Sequence, residues 1–152
     1  MPMLNVSGLV KRFGALRAVN EVSFEVAEGE ILGLIGPNGS GKSTIFNCIA
    51  GLYAPDGGSI SFEGAGITGL PPNRICHKGI GRTFQIPRPF HNLTLLENVA
   101  LSAFFGRDRG VTQQQAWAYA EEALALVGLP TDPRATTDGL GAAALKKLEL
   151  AR

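Results

Sequence analysis

Cysteine is scarce in this chain: only Cys48 and Cys76 occur among its 152 residues. Two cysteines this far apart offer no disulfide framework, no disulfide partner and no metal-ligand spacing. They fit a reducing compartment, the cytoplasm, with Cys48 a packed thiol. Histidine is as rare, and the isolated His77 and His91 read as surface or structural residues, not ligands. No apolar run reaches the roughly 20 residues of a membrane span. Met1-Pro2-Met3-Leu4 lacks the basic-then-hydrophobic order of a signal peptide. A charge excess is missing too, since 14 Lys and Arg against 13 Asp and Glu leave a net charge of +1. That gives no electrostatic reason to expect nucleic acid or lipid as a partner. Internal repeats and low-complexity tracts do not occur.

Apolar residues at 45% and charged residues at 18% describe an ordinary globule, long enough for one domain with a core. Glycine is plentiful, and three glycines fall in the stretch Gly36-Pro37-Asn38-Gly39-Ser40-Gly41-Lys42-Ser43-Thr44. This is G-x-x-x-x-G-K-[ST], the pattern of a loop that cradles nucleotide phosphates. Glycines let the backbone take left-handed dihedrals and turn its N–H groups towards one point. The positive end of the following helix adds to that anion-binding concavity. Lys42 supplies a point charge for the β- and γ-phosphates, and the Ser43 hydroxyl a ligand for Mg²⁺. Both flanks suit the motif. Ile31 to Ile35 is a short apolar run expected to be a strand covered on both faces. Ile45, Phe46, Ile49, Ala50 and Leu52 recur at helical spacing after it.

Along the rest of the chain, Leu4 to Val10 and Arg17 to Val26 read as strands. In the second, Val22, Phe24 and Val26 alternate with Ser23, Glu25 and Ala27, so one face is buried. Phe13 lies in the turn between them, either as an edge-of-core ring or as one that stacks on a nucleobase. Pro55-Asp56-Gly57-Gly58 is a loop, and Ser59 to Glu63 alternates like a strand. Gly64-Ala65-Gly66-Ile67-Thr68-Gly69 matches G-x-G-x-x-G, but Pro71-Pro72 follow where a dinucleotide site needs a long helix. A turn and a short helix ending by Gly79 are expected instead. Gly81 to Gln85 reads as a strand, and Ile86-Pro87-Arg88-Pro89-Phe90 as an extended apolar segment. Capping boxes at Thr94–Glu97 and Thr112–Gln115 predict helices through Phe105 and to Val127, the latter ended by Gly128 and carrying Trp117 on its core face. A loop over Leu129 to Gly141 and a last helix from Ala142 complete the reading.

This order of motifs resembles the nucleotide-binding subunit of ABC transporters over essentially the whole chain. The resemblance implies an α/β P-loop fold with an N-terminal antiparallel β subdomain, a partial parallel core sheet and a helical subdomain. Residues 1–90 and 140–152 would form the core and β subdomain, and residues 91–139 the helical one. It implies ATP and Mg²⁺ as cofactors. Phe13 matches the family's adenine-stacking aromatic, Val19 the apolar residue beside it, and Gly36 to Thr44 the phosphate loop. Gln85 matches the loop glutamine that touches Mg²⁺ and the attacking water and signals to the membrane subunit. Gly81-Arg82-Thr83-Phe84-Gln85, Pro89-Phe90 and Leu96-Glu97-Asn98-Val99 resemble the branched-chain amino-acid importers within the family. The partners implied are an integral-membrane transport subunit, docked on Ile86 to Leu96, and a second nucleotide-binding subunit, identical or not. The location implied is peripheral, on the cytoplasmic face of the inner membrane.

Two departures from the family pattern stand out. The signature Leu-Ser-Gly-Gly-Gln is replaced by Leu140-Gly141-Ala142-Ala143-Ala144, without the hydroxyl and the glutamine. Contact with a partner's γ-phosphate would then fall to backbone N–H groups at a helix N-terminus. The sequence also stops at Arg152, before the family's metal-binding Asp, water-polarising Glu and switch His. A piece truncated there is expected to bind nucleotide without hydrolysing it, since turnover needs a positioned water and metal as well as a phosphate cradle. The competing readings are a soluble P-loop enzyme such as a small-molecule kinase, and a non-catalytic nucleotide-binding fragment.

Overall fold

Alternating apolar and polar residues organise the N-terminal half into a four-stranded sheet. A computed structural model describes residues 2–106 and 110–152. Its strands are β1 (Leu4–Phe13), β2 (Leu16–Val26), β3 (Gly57–Phe62) and β4 (Ala65–Gly66), in the order β2-β1-β3-β4. All pairings are antiparallel, with Leu4 opposite both Val26 and Phe62. Val22, Phe24 and Val26 are half-buried between exposed neighbours, the period-two pattern of a sheet with one covered face. Gly8 sits at a register shift in β1, where its N–H donates to Ser23 Oγ at 2.8 Å.

The described residues divide into two compact units, Met1–Cys76 and His77–Arg152. In the first, Val6, Leu9, Val19 and Ile60 of the sheet are buried, as are Ile45, Cys48 and Ile49 of helix α1 (Lys42–Ile49). Burial raises the Cys48 thiol above its ordinary value, as suits an inert packed sulfur. The short helix α2 (Pro72–His77) starts on the second proline of the Pro71-Pro72 pair, and Gly66 ends a two-residue strand, so no long helix opens from the Gly64–Gly69 stretch.

The second unit packs α3 (Leu95–Phe105), α4 (Gln113–Leu126) and α5 (Ala142–Ala151) around Leu95, Leu96, Val99, Leu124 and Leu148. Trp117 is partly buried against that cluster. Both capping boxes form as the sequence predicts. Thr94 N–H donates to Glu97 Oε2 at 2.7 Å while Glu97 N–H donates to Thr94 Oγ1 at 3.2 Å. Thr112 and Gln115 repeat the exchange at 3.0 and 3.3 Å. Gly128, with φ of +67°, turns the chain out of α4.

Two expected strands are corrected. Neither Ile31 to Ile35 nor Gly81 to Gln85 has regular secondary structure, and with them the partial parallel core sheet is missing among the described residues. Ile31 is 97% and Ile35 94% exposed. The apolar pattern encodes a strand's covering, but a strand exists only when neighbours take up its N–H and C=O groups. Neither segment is hydrogen-bonded into a sheet here.

Candidate functional site

Between Gly36 and Thr44 the chain makes a turn at Asn38-Gly39 and a bend at Ser40-Gly41, then enters α1 at Lys42. Ser40 N–H closes the loop on Pro37 O at 3.3 Å. Gly39 and Gly41 have φ of +80° and +90°, the left-handed region that glycine enters at no steric cost. At Gly41 a side chain is excluded twice over, because a Cβ would lie 2.3 Å from Ala18 O. This close approach seats the loop on β2 beside Val19, which is 3% exposed. Val19 therefore packs beneath the loop.

No side chain caps α1, and its first turn carries no acidic residue. The first N–H groups of a helix have no partner of their own, and they carry the positive end of the helix dipole. Lys42 bends back into the loop, its Nζ donating to Gly36 O and Pro37 O, both at 2.6 Å, and to Ser40 Oγ at 3.2 Å. An ammonium ion thus stands inside a ring of backbone, next to an uncapped helix start and the exposed Ser43. Left-handed glycines, uncapped amides and a central cation fit the phosphates of a nucleotide. The hydroxyl of Ser43 fits a Mg²⁺ ion that takes its remaining oxygens from phosphate and water. Among the described residues no group of three or more His, Cys, Asp or Glu could hold a metal without them.

Phe13 stands at the end of β1, 43% exposed, so it is neither a core ring nor a free one. Tyr53 meets it edge-on, the ring centroids 5.2 Å apart at 79°. Lys11 Nζ lies 5.6 Å from the Phe13 centroid. Phe13, Val19 and the Gly36–Thr44 loop all belong to the first unit.

Gln85 and the Leu140–Ala144 stretch belong to the second. Gln85 is exposed in a bend. The chain on either side of it is fastened to α5. Phe84 N–H donates to Glu149 Oε1, and Phe84 O accepts from Lys146 Nζ, which also pairs with Glu149 Oε2 at 3.0 Å. Arg152 Nη1 donates to Arg88 O at 2.8 Å, and its guanidinium lies 4.7 Å from the Phe90 centroid. Burial pushes the Glu149 carboxyl up, but the Phe84 N–H, Lys146 and Arg152 outweigh it and hold the group below its ordinary value. Burial lowers Arg152, with Glu149 opposing. Leu140 to Ala144 opens α5 with Gly141 as N-cap and no side-chain cap, so what it presents is backbone.

Sequence reasoning passed over Tyr53, Asp56, Asn98 and Glu149. Pro55-Asp56-Gly57 reads locally as a turn, whereas Asp56 Oδ2 accepts the Arg12 N–H at 2.6 Å from 44 residues away. Asn98, fully buried, bonds Phe90, Leu93 and Thr94. Only its polar character within an apolar helix signals that.

Residues 19–152 match the family model described as ABC transporter, and the chain belongs to that family. Its α/β fold is that of the ATP-binding cassettes, with the antiparallel N-terminal sheet and the helices described above. It is 50% identical over 101 residues to the high-affinity branched-chain amino acid transport ATP-binding protein BraF of Pseudomonas aeruginosa, covering 66% of this chain and 40% of that protein. Identity to LivG of Escherichia coli, of the same description, is 48% over 101 residues, with the same 66% and 40% covered. The crystal structure of the ADP conformation of an ATP-binding cassette of an ABC transporter matches with a TM-score of 0.86 at 32% identity, covering 100% of this chain and 64% of that one. The matched region thus spans 40% of the length of these curated relatives.

Proposed function

We propose that this chain is the ATP-binding part of an ABC importer, coupling ATP binding and hydrolysis to the transport of branched-chain amino acids. The observation that carries the reading is Lys42 held inside the Gly36–Thr44 loop at the uncapped start of α1. Phosphates would take the N–H groups of Gly39 and of Gly41 to Thr44 together with the Lys42 ammonium, an anion being a stronger partner for it than a neutral carbonyl. The Ser43 hydroxyl would ligate Mg²⁺, which neutralises charge developing on the phosphate oxygens. Phe13 would stack on the adenine. The likeness to BraF and LivG supports the branched-chain amino-acid substrate.

The partners proposed are an integral-membrane transport subunit and a second nucleotide-binding subunit, identical or not. No helix among the described residues is long and apolar enough to cross a membrane. On this reading, by the likeness to transporter ATP-binding proteins, the chain sits peripherally on the cytoplasmic face, with Ile86 to Leu96 as its docking segment. The exposed Ile86 and Phe90, at 74% and 46%, support that role. The backbone N–H groups of Gly141 to Ala144 would meet the partner subunit's nucleotide.

Copurification tests the reading. The protein expressed with a multi-spanning membrane subunit should be retained with it in detergent and should release phosphate from ATP. An Ile86→Asp variant should lose retention while still binding ATP. A protein that is never retained, yet phosphorylates a small molecule, would be a soluble kinase instead.

A further inference from the structure

Phe13 lies at the turn end of the β1–β2 hairpin, paired with Leu16, and is half-exposed, so a ring there needs something to fix its plane if it is to receive a base. The observed contact is with Tyr53, edge-on at 5.2 Å. Tyr53 belongs to the loop of residues 50–56 between α1 and β3, and that loop is tied at both ends. At the α1 end, Leu52 N–H and Tyr53 N–H both donate to Asn47 O, at 2.8 and 3.2 Å. Gly51 makes the turn with φ of +74°, and a Cβ on it would meet Leu70 O at 2.4 Å. At the other end Asp56 Oδ2 accepts the Arg12 N–H at 2.6 Å and pairs with Lys11 Nζ at 3.3 Å. Lys11 Nζ also donates to Ala54 O at 2.8 Å, and Asp56 N–H donates to Val10 O at 2.8 Å. The staple closes on the three residues that directly precede Phe13.

We propose that Tyr53 and Asp56 are positioning residues of the base site: Asp56 fastens the loop to β1, and Tyr53 on that loop sets the ring plane of Phe13. One element, α1, would then hold both ends of the nucleotide. Its first turn binds phosphate, and the loop at its last turn orients the ring that takes the base. Tyr53 does not touch the base in this account. It acts through Phe13, and so the inference rests on the reading of Phe13 as the stacking residue.

Calorimetric titration with ATP, ADP and inorganic tripolyphosphate tests it on the protein and five variants. Tripolyphosphate reports the phosphate loop without a base. Phe13→Ala should weaken ATP and ADP alike. Tyr53→Ala should do the same by about two- to tenfold, the scale of an edge-to-face ring pair, with tripolyphosphate affinity unchanged. Tyr53→Phe keeps the ring edge and should bind as the parent does. Asp56→Ala should follow Tyr53→Ala, because it frees the loop from β1. If Phe13→Ala leaves ATP affinity where it was, the base-site reading falls and this inference with it. If Phe13→Ala weakens ATP while Tyr53→Ala and Asp56→Ala do not, the inference alone is overturned. Equal loss of tripolyphosphate in Tyr53→Ala would make Tyr53 a general support of the fold, which also overturns it. Tyr53→Leu fills the space without a ring and should match Tyr53→Ala; parent-like binding would overturn the claim that the ring edge of Tyr53 sets the plane of Phe13.

Discussion

Lys42 is satisfied by its own loop, with two carbonyl oxygens at 2.6 Å and a hydroxyl at 3.2 Å. Its charge therefore preorganises the cradle as well as attracting phosphate. A buried side chain elsewhere does a comparable holding job. Asn98 Nδ2 donates to Phe90 O, Leu93 O and Thr94 O at 2.9–3.2 Å, and Oδ1 accepts the Phe90 N–H at 2.9 Å. It pins the proposed docking segment to α3. Asn98→Leu keeps most of the volume but leaves those groups unpaired, which should cost about 1–3 kcal/mol of stability in urea titrations. An unchanged midpoint would mean that water serves these groups equally well.

At the scale of elements, what was legible in the sequence is what is local. The Thr94 and Thr112 boxes act over three residues, so sequence alone places both helices and their starts. Thr94→Ala should cost about 1 kcal/mol in the same titrations. The phosphate loop is legible for the same reason, since its glycines and Lys42 act on each other. Ile31 to Ile35 and Gly81 to Gln85 read as strands and are not, because a strand depends on partners that its own residues do not name. The Asp56 staple joins residues 44 apart and looks in sequence like any Pro-Asp turn. It has a pH signature. The Arg12 N–H, ahead of Lys11 and against some burial, holds the Asp56 carboxyl below its usual range. A carboxylate depressed in the folded state stabilises the fold fully above its unfolded value of about 3.9, and that contribution is lost as pH falls through the folded value. Unfolding free energy should therefore fall with acidification below about pH 4, and less steeply in Asp56→Asn. Equal slopes for the two proteins would remove the staple from the account.

The whole molecule exposes more apolar surface than its sequence pattern implies. Ile31, Ile35, Ile86 and Leu150 are all more than two-thirds uncovered. Surfaces of this kind mark interfaces or sites of association. The 152 residues purified alone should thus self-associate and bind a hydrophobic dye. A monodisperse, dye-silent preparation would contradict that. Gln85 belongs to the same scale, since it sits between the Phe84 and Arg88 fastenings to α5. Gln85→Ala should leave nucleotide affinity nearly intact and reduce phosphate release in the proposed complex with a membrane subunit. Lost affinity with normal turnover would reverse its role. All of this stands on the loop at Gly36 to Thr44 being a nucleotide cradle. The direct test is calorimetric titration of Mg·ATP into the protein and into Lys42→Ala. Loss of one charge-assisted contact, about 1.5–3 kcal/mol, predicts at least a tenfold weaker affinity in the variant. Equal affinity in the two proteins would mean that Gly36 to Thr44 is only a turn capping a helix.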